Sequence, residues 1–190
     1  GSADINNGDY GLWLENRNNN AYVTFDVRYS EAAGKNPYLL VVSQDGAEYF
    51  TPSDGITFVQ KGTTTSVEES DGAYNWISLN TWYTVTVPMA EASKVFLAMD
   101  TNDSATMFIT NIIWSDEIPE PGEPEVPDEP EEPEDTTLVA RNPAYLSEAT
   151  PEELTAAGIT DATGTVYRFI KGVGSADINN GDYALWLENR

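Results

Sequence analysis

The sequence predicts an all-β protein, a β-sandwich with one short helix and an extended Pro/Glu-rich linker. Three observations predict it. Apolar residues alternate with polar ones over many short stretches, and no long stretch shows the period of a helix. Clusters of Asn, Asp, Gly and Pro separate those stretches at short intervals. Finally, one segment of 17 residues occurs twice: residues 1–17 read GSADINNGDYGLWLENR and residues 174–190 read GSADINNGDYALWLENR. The copies differ only at Gly11 and Ala184, and Gly1 recurs as Gly174, an offset of 173 residues. Chance does not give such identity, so the chain is read as slightly more than one period of a tandem array. On that reading its ends are not the ends of a domain.

In chain order, Asn6-Asn7-Gly8-Asp9 is a hairpin-type turn, since Asn-Gly accepts positive φ. The strand Tyr10 to Glu15 follows. Tyr10, Leu12 and Leu14 share one face, and Trp13 lies on the other. Residues 16–20, Asn-Arg-Asn-Asn-Asn, turn the chain again. Ala21 to Tyr29 is the clearest strand: Val23, Phe25, Val27 and Tyr29 point one way, Thr24, Asp26 and Arg28 the other. That pattern predicts a strand with one face in water. Tyr38 to Val42 is a continuous apolar run that suits a central strand. Shorter strands are expected at Ala47 to Phe50, Ile56 to Gln60 and Tyr74 to Leu79, then Trp82 to Val87, Lys94 to Met99 and Met107 to Trp114.

Composition then changes abruptly. Residues 115–135 hold eleven acids, six prolines and no base, and Pro121, Pro124, Pro127, Pro130 and Pro133 recur every third residue. Polyproline II has three residues per turn, so these prolines line one edge of an extended rod. Charge repulsion stiffens it further, and the segment is read as a spacer. Beyond it, Leu138 to Leu146 contains an extended segment. Thr150-Pro151-Glu152-Glu153 is a capping box with Pro at the first helical position, predicting a helix over 151–157 that Gly158 ends. Val166 to Ile170 is the last strand before the second copy.

Three parts follow: residues 1–114, the C-terminal major part of a sandwich repeat; 115–135, the acidic linker; and 136–190, the N-terminal part of the next repeat. The unit that folds is permuted relative to the chain. It runs from about Thr136 to Val173 and continues as residues 1–114, which makes 152 residues; the 21-residue linker completes the 173-residue offset.

Composition excludes several functions. Nine bases against 32 acids give a net charge of −23, which repels nucleic acid and anionic membrane surfaces. With no His and no Cys, zinc, haem-His and Ser-His-Asp chemistry and disulfides are excluded. No apolar run is long enough to cross a membrane as a helix. Carboxylate pairs are too abundant in this chain to mark a catalytic site, and no enzyme is expected. Abundant Asn, Thr, Gly, Tyr and Trp with scarce Lys is the style of secreted bacterial β-proteins, so an extracellular or cell-surface location is expected.

The closing segments Trp82-Tyr83-Thr84-Val85-Thr86-Val87-Pro88 and Met107 to Trp114, with Ile109-Thr110-Asn111-Ile112-Ile113 inside it, resemble the end of carbohydrate-binding jelly-roll modules. The resemblance covers about thirty residues. It implies a jelly-roll-like sandwich and, as one reading, glycan stacking on Trp13, Trp76 or Trp82. The other reading of these tryptophans is that a neighbouring strand or loop covers them. Asp4, Asn6 and Asp9, repeated as Asp177, Asn179 and Asp182, gather oxygen ligands as the start of a calcium loop does, but the later Gly and Glu of such a loop are missing. Asp100, Asn102 and Asp103 form a similar group. A hydrogen-bonded turn is the favoured reading of each, and no cofactor is expected.

The expectation is a structural tandem repeat of an adhesin stalk or filament whose partners are neighbouring copies of itself. The seam is Tyr10, Leu12 and Leu14 in one copy and Tyr183, Leu185 and Leu187 in the other. The two copies compete for one strand position, so the second can complete a neighbouring subunit by strand addition. A non-catalytic carbohydrate-binding module of a secreted multi-domain protein is the alternative.

Overall fold

The computed structural model describes residues 10–16, 18–32, 38–42, 49–50, 55–64, 75–89, 94–99, 105–118, 136–139, 146–171 and 185–189. These form thirteen strands and one helix, so the all-β expectation holds. In chain order the strands are β1 (Tyr10–Glu15), β2 (Tyr22–Ala32), β3 (Tyr38–Val42), β4 (Tyr49–Phe50), β5 (Thr57–Gln60), β6 (Asn75–Trp76), β7 (Tyr83–Pro88), β8 (Lys94–Met99) and β9 (Ala105–Ser115). Further along the chain come β10 (Thr136–Val139), β11 (Leu146–Glu148), the helix α1 (Pro151–Ala156), β12 (Tyr167–Lys171) and β13 (Leu185–Asn189).

The strands sort into two sheets. One has the order β10-β13-β1-β8-β3-β4, with β6 also paired to β3; the other has the order β11-β12-β9-β2-β7-β5. All described pairings are antiparallel except β1 with β13.

The core is built from the alternation read in the sequence. Val23, Phe25, Val27 and Tyr29 of β2, Val85 and Val87 of β7, Phe58 of β5, and Met107 and Ile109 of β9 are all buried in one cluster. Leu14 of β1, in the other sheet, belongs to the same cluster and has no exposed surface. Tyr167 and Phe169 of β12 complete it. Each fully buried side chain of this size stabilises the fold by about 1.5–3 kcal/mol.

Two features depart from the strand-by-strand reading. First, β2 is central, lying between β7 and β9, and its polar face is as closed as its apolar one. Thr24, Asp26 and Arg28 are at most 7% exposed. The predicted wet face is corrected: residues distant in sequence cover it.

Second, β9 is not one regular strand. Thr24 pairs with Ile113 and Asp26 with Thr110, so one extra residue of β9 faces Phe25. Asn111 sits there with φ +51°. A bulge with its residue in the left-handed region suits Asn, whose short polar side chain tolerates it. The bulge switches the alternation. Met107 and Ile109 point into the core before it, Trp114 after it, and Ile113 is turned outward.

The helix forms where its caps place it. Thr150 Oγ1 accepts from Glu153 N, and Glu153 Oε2 accepts from Thr150 N at 2.9 Å. Gly158, at φ +66°, closes the C-terminus: its N–H reaches Thr155 O at 3.0 Å and the Ile159 N–H reaches Leu154 O at 2.8 Å. This is the Schellman arrangement, with Ile159 buried beside Leu154 in one cluster. A helix of two turns does not persist unaided. Here Leu154 and Ala157 pack against that cluster, which also holds Trp82, Phe108 and Val166.

Candidate functional site

Two places in the fold gather chemistry, and both lie on the outer face of the β2-containing sheet. The first is where residues 146–171 dock onto residues 10–118. Strand β12 pairs with β9 from Tyr167↔Ile109 to Lys171↔Ala105. In that register Phe108 lies directly between Arg28 of β2 and Arg168 of β12. The helix covers this row. Arg28 Nη2 donates to Ala157 O at 3.0 Å and to Asn80 Oδ1 at 3.3 Å, and Nη1 donates to Gly158 O at 3.5 Å. A guanidinium on the last carbonyls of a helix satisfies acceptors that lack intrahelical partners and lies at the negative end of the helix dipole. Arg168 Nη1 donates to Glu153 Oε1, forming an ion pair. Thr110 Oγ1 donates to Thr165 O at 2.8 Å, one further tie between the two parts.

A groove of about 600 Å³ opens beside the helix, lined by Arg28, Asn80, Phe108, Glu153, Arg168 and Ile170 among others. Its size suits a small ligand. Its polar lining is two guanidiniums, Arg28 held by Ala157 O, Gly158 O and Asn80 Oδ1 and Arg168 held by Glu153, and its Phe108 ring is buried.

The second place is Asp26. Its carboxylate is buried, and three groups donate to it: Lys61 Nζ to Oδ2 at 2.5 Å, Asn111 Nδ2 to the same Oδ2 at 2.7 Å, and Thr84 Oγ1 to Oδ1 at 2.7 Å. These residues come from β2, from the end of β5, from the bulge of β9 and from β7. The bulge is what brings the Asn111 amide onto the face that carries Asp26. The Lys61 side chain is 51% exposed, so the pair sits at the boundary between sheet and solvent.

The residues singled out by the sequence are placed as follows. Trp82 is 9% exposed and packs with Phe108, Ile159 and Val166, so its ring is covered by the docked segment. Trp13 lies in β1 and Trp76 in β6, the former paired with Phe96 and Trp186, the latter with Tyr38. Leu12 and Leu14 lie directly beside Leu185 and Leu187 in the parallel pair β1–β13. Tyr10 pairs with Met99. Tyr183, the calcium candidates Asp4, Asn6 and Asp9, their second copies Asp177, Asn179 and Asp182, the group Asp100, Asn102 and Asp103, and linker residues 119–135 lie outside the described residues. Among the described residues, no group of three or more His, Cys, Asp or Glu is placed to hold a metal ion. No described helix is long and apolar enough to cross a membrane.

Sequence reasoning missed Arg28, Arg168, Asp26, Lys61 and Asn111. One signal was present. The apolar parity of residues 107–114 changes at Asn111, from 107 and 109 to 112 and 114, and that change marks a bulge. Nothing in the sequence pairs Asp26 with Lys61.

Comparisons of the chain with protein-family models, with curated proteins and with solved structures return no match.

Proposed function

We propose that the chain is a structural tandem repeat of an extracellular adhesin stalk or filament. It carries no enzymatic activity, and its partners are neighbouring copies of the same repeat. The folding unit is a jelly-roll-like β-sandwich, and the acidic proline-rich segment spaces one unit from the next. One observation carries this reading. Residues 12–15 of one copy and 185–188 of the other lie side by side in one sheet, Leu12↔Leu185 through Glu15↔Glu188, matched at the repeat offset. A segment that pairs with its own copy is a ready-made joint between repeats. The docking of residues 146–171 onto β9 supports the permuted unit in the same way: that segment supplies the sheet of residues 10–118 with the strands β11 and β12.

Made with a neighbouring subunit instead of within one chain, the same pairing does not close and extends head-to-tail into a line. The test is electron microscopy of a protein with several repeats, together with light scattering of the chain at rising concentration. Regularly spaced beads on a thin line, and mass that grows with concentration, are expected. A chain that stays monomeric, with residues 174–190 cleaved first by protease, would exclude strand exchange between copies.

The groove beside the helix favours a second reading, a non-catalytic carbohydrate-binding module. Its Asn80 and arginines are the kinds of group that hold a sugar's hydroxyls. A glycan array with the Asn80→Ala variant decides it. Absence of binding across a broad array removes this reading and leaves the structural one.

A further inference from the structure

We propose that Lys61 and Asn111 become joined by an amide bond between their side chains, with Asp26 as the proton carrier. The inference rests on the Asp26 cluster alone and does not depend on the array reading.

An amide bond of this kind needs an amine, a carboxamide carbon and a group that moves protons between them. The three are assembled here. Lys61 Nζ and Asn111 Nδ2 donate to the same oxygen of Asp26, at 2.5 Å and 2.7 Å. Both nitrogens are therefore neighbours around one carboxylate, and the Asn111 Cγ is one bond from its own nitrogen. Thr84 Oγ1 fixes the other carboxylate oxygen at 2.7 Å, so Asp26 cannot swing away. The strands that carry the groups are rigid. Asp26 and Thr84 face each other in the β2–β7 ladder, and the Lys61 N–H extends the β5–β7 ladder by bonding Trp82 O at 2.9 Å. Holding reactants in place like this replaces an encounter in solution with an internal step.

The step balances as follows. Asp26 takes one proton from the Lys61 ammonium, leaving a neutral amine. The amine lone pair attacks Asn111 Cγ and forms a C–N bond. Asp26 returns the proton to the Asn111 nitrogen, the old C–N bond breaks, and that nitrogen leaves as ammonia, which carries away the remaining proton as ammonium. A lysine ammonium and an asparagine amide have become one secondary amide and one ammonium ion, with no oxidant or cofactor. The step occurs once per chain, so it need not be fast. The half-exposed Lys61 gives the departing ammonia a route to solvent.

The product is a covalent strap over the sheet from the end of β5 to β9, across β7 and β2. It turns the stretch between residues 61 and 111 into a closed loop. By loop-closure reasoning such a strap raises the thermal midpoint by about 10 °C.

Intact-mass spectrometry of the purified chain is the test. The expected mass is lower than that of the sequence by one ammonia, about 17 Da. Trypsin then fails to cleave after Lys61, and the peptides carrying residues 61 and 111 travel as one. Lys61→Arg keeps a cation for Asp26 but cannot condense; Asn111→Gly keeps the left-handed backbone but removes the amide. Each restores the full mass calculated for its own sequence, and so does Asp26→Asn. A wild-type mass equal to that of the sequence overturns the proposal. So does a deficit of one water, which would mean that Lys61 has condensed with Asp26.

Discussion

Arg28 and Ala157 are 129 residues apart in sequence, yet the Arg28 guanidinium donates to the Ala157 carbonyl at 3.0 Å. This contact joins the central strand of one sheet to the last turn of the only helix among the described residues. It explains why a charged residue is 7% exposed on a strand face that reads as solvated.

Arg28→Met keeps the length and apolar stem of the side chain and removes its donors. Ala157 O, Gly158 O and Asn80 Oδ1 then lose a charged partner. Hydrogen bonds to charged groups contribute about 1.5–3 kcal/mol each, and these three share one guanidinium, so a total loss of about 2–4 kcal/mol is expected. Urea unfolding gives the total. Hydrogen exchange shows where it falls: amides of residues 154–159 lose protection before those of β2. Uniform loss across the chain would show that the helix is not docked through Arg28.

The helix ends differ in what they need. Thr150→Ala removes one half of the capping box and costs about 1 kcal/mol. Gly158→Ala meets no steric block, since the nearest atom to an added Cβ is Arg28 Nη2 at 3.9 Å. Its cost comes from φ +66° alone and is expected at about 1 kcal/mol. Gly158→Asn, which tolerates that conformation better, should recover part of it. Urea midpoints of the three variants check the order.

Trp82 separates packing from glycan contact. With 9% of its surface exposed and Phe108, Ile159 and Val166 around it, Trp82→Ala leaves a cavity and costs about 3–5 kcal/mol. A thermal melt shows the loss directly. A variant that melts with wild type while losing sugar binding would instead mean that the ring is presented to solvent.

Salt acts on two opposed terms. It screens the Arg168–Glu153 ion pair, which weakens it. It also screens the repulsion within a chain of net charge −23, which strengthens the compact state. A single partly exposed pair contributes little, about 1 kcal/mol at most, so the repulsion prevails. The urea midpoint is expected to rise with added sodium chloride, and a fall would reverse this ranking.

The sequence by itself determined the local units. The alternation of Val23, Phe25, Val27 and Tyr29 places those residues in the core, because a strand's side chains alternate by geometry. The capping box at Thr150 and Glu153 and the glycine at 158 define the helix within one residue, because caps act on neighbours in the chain. The repeat offset is also the register of the parallel pair β1–β13, where Leu12 and Leu14 lie beside Leu185 and Leu187. Tertiary structure alone decided the rest. Asp26 and Arg28 look like solvated strand residues until Lys61, Asn111 and the helix, brought from 35 to about 130 residues away, close over them. The energy of burying a polar group depends on partners that adjacency in the chain does not supply.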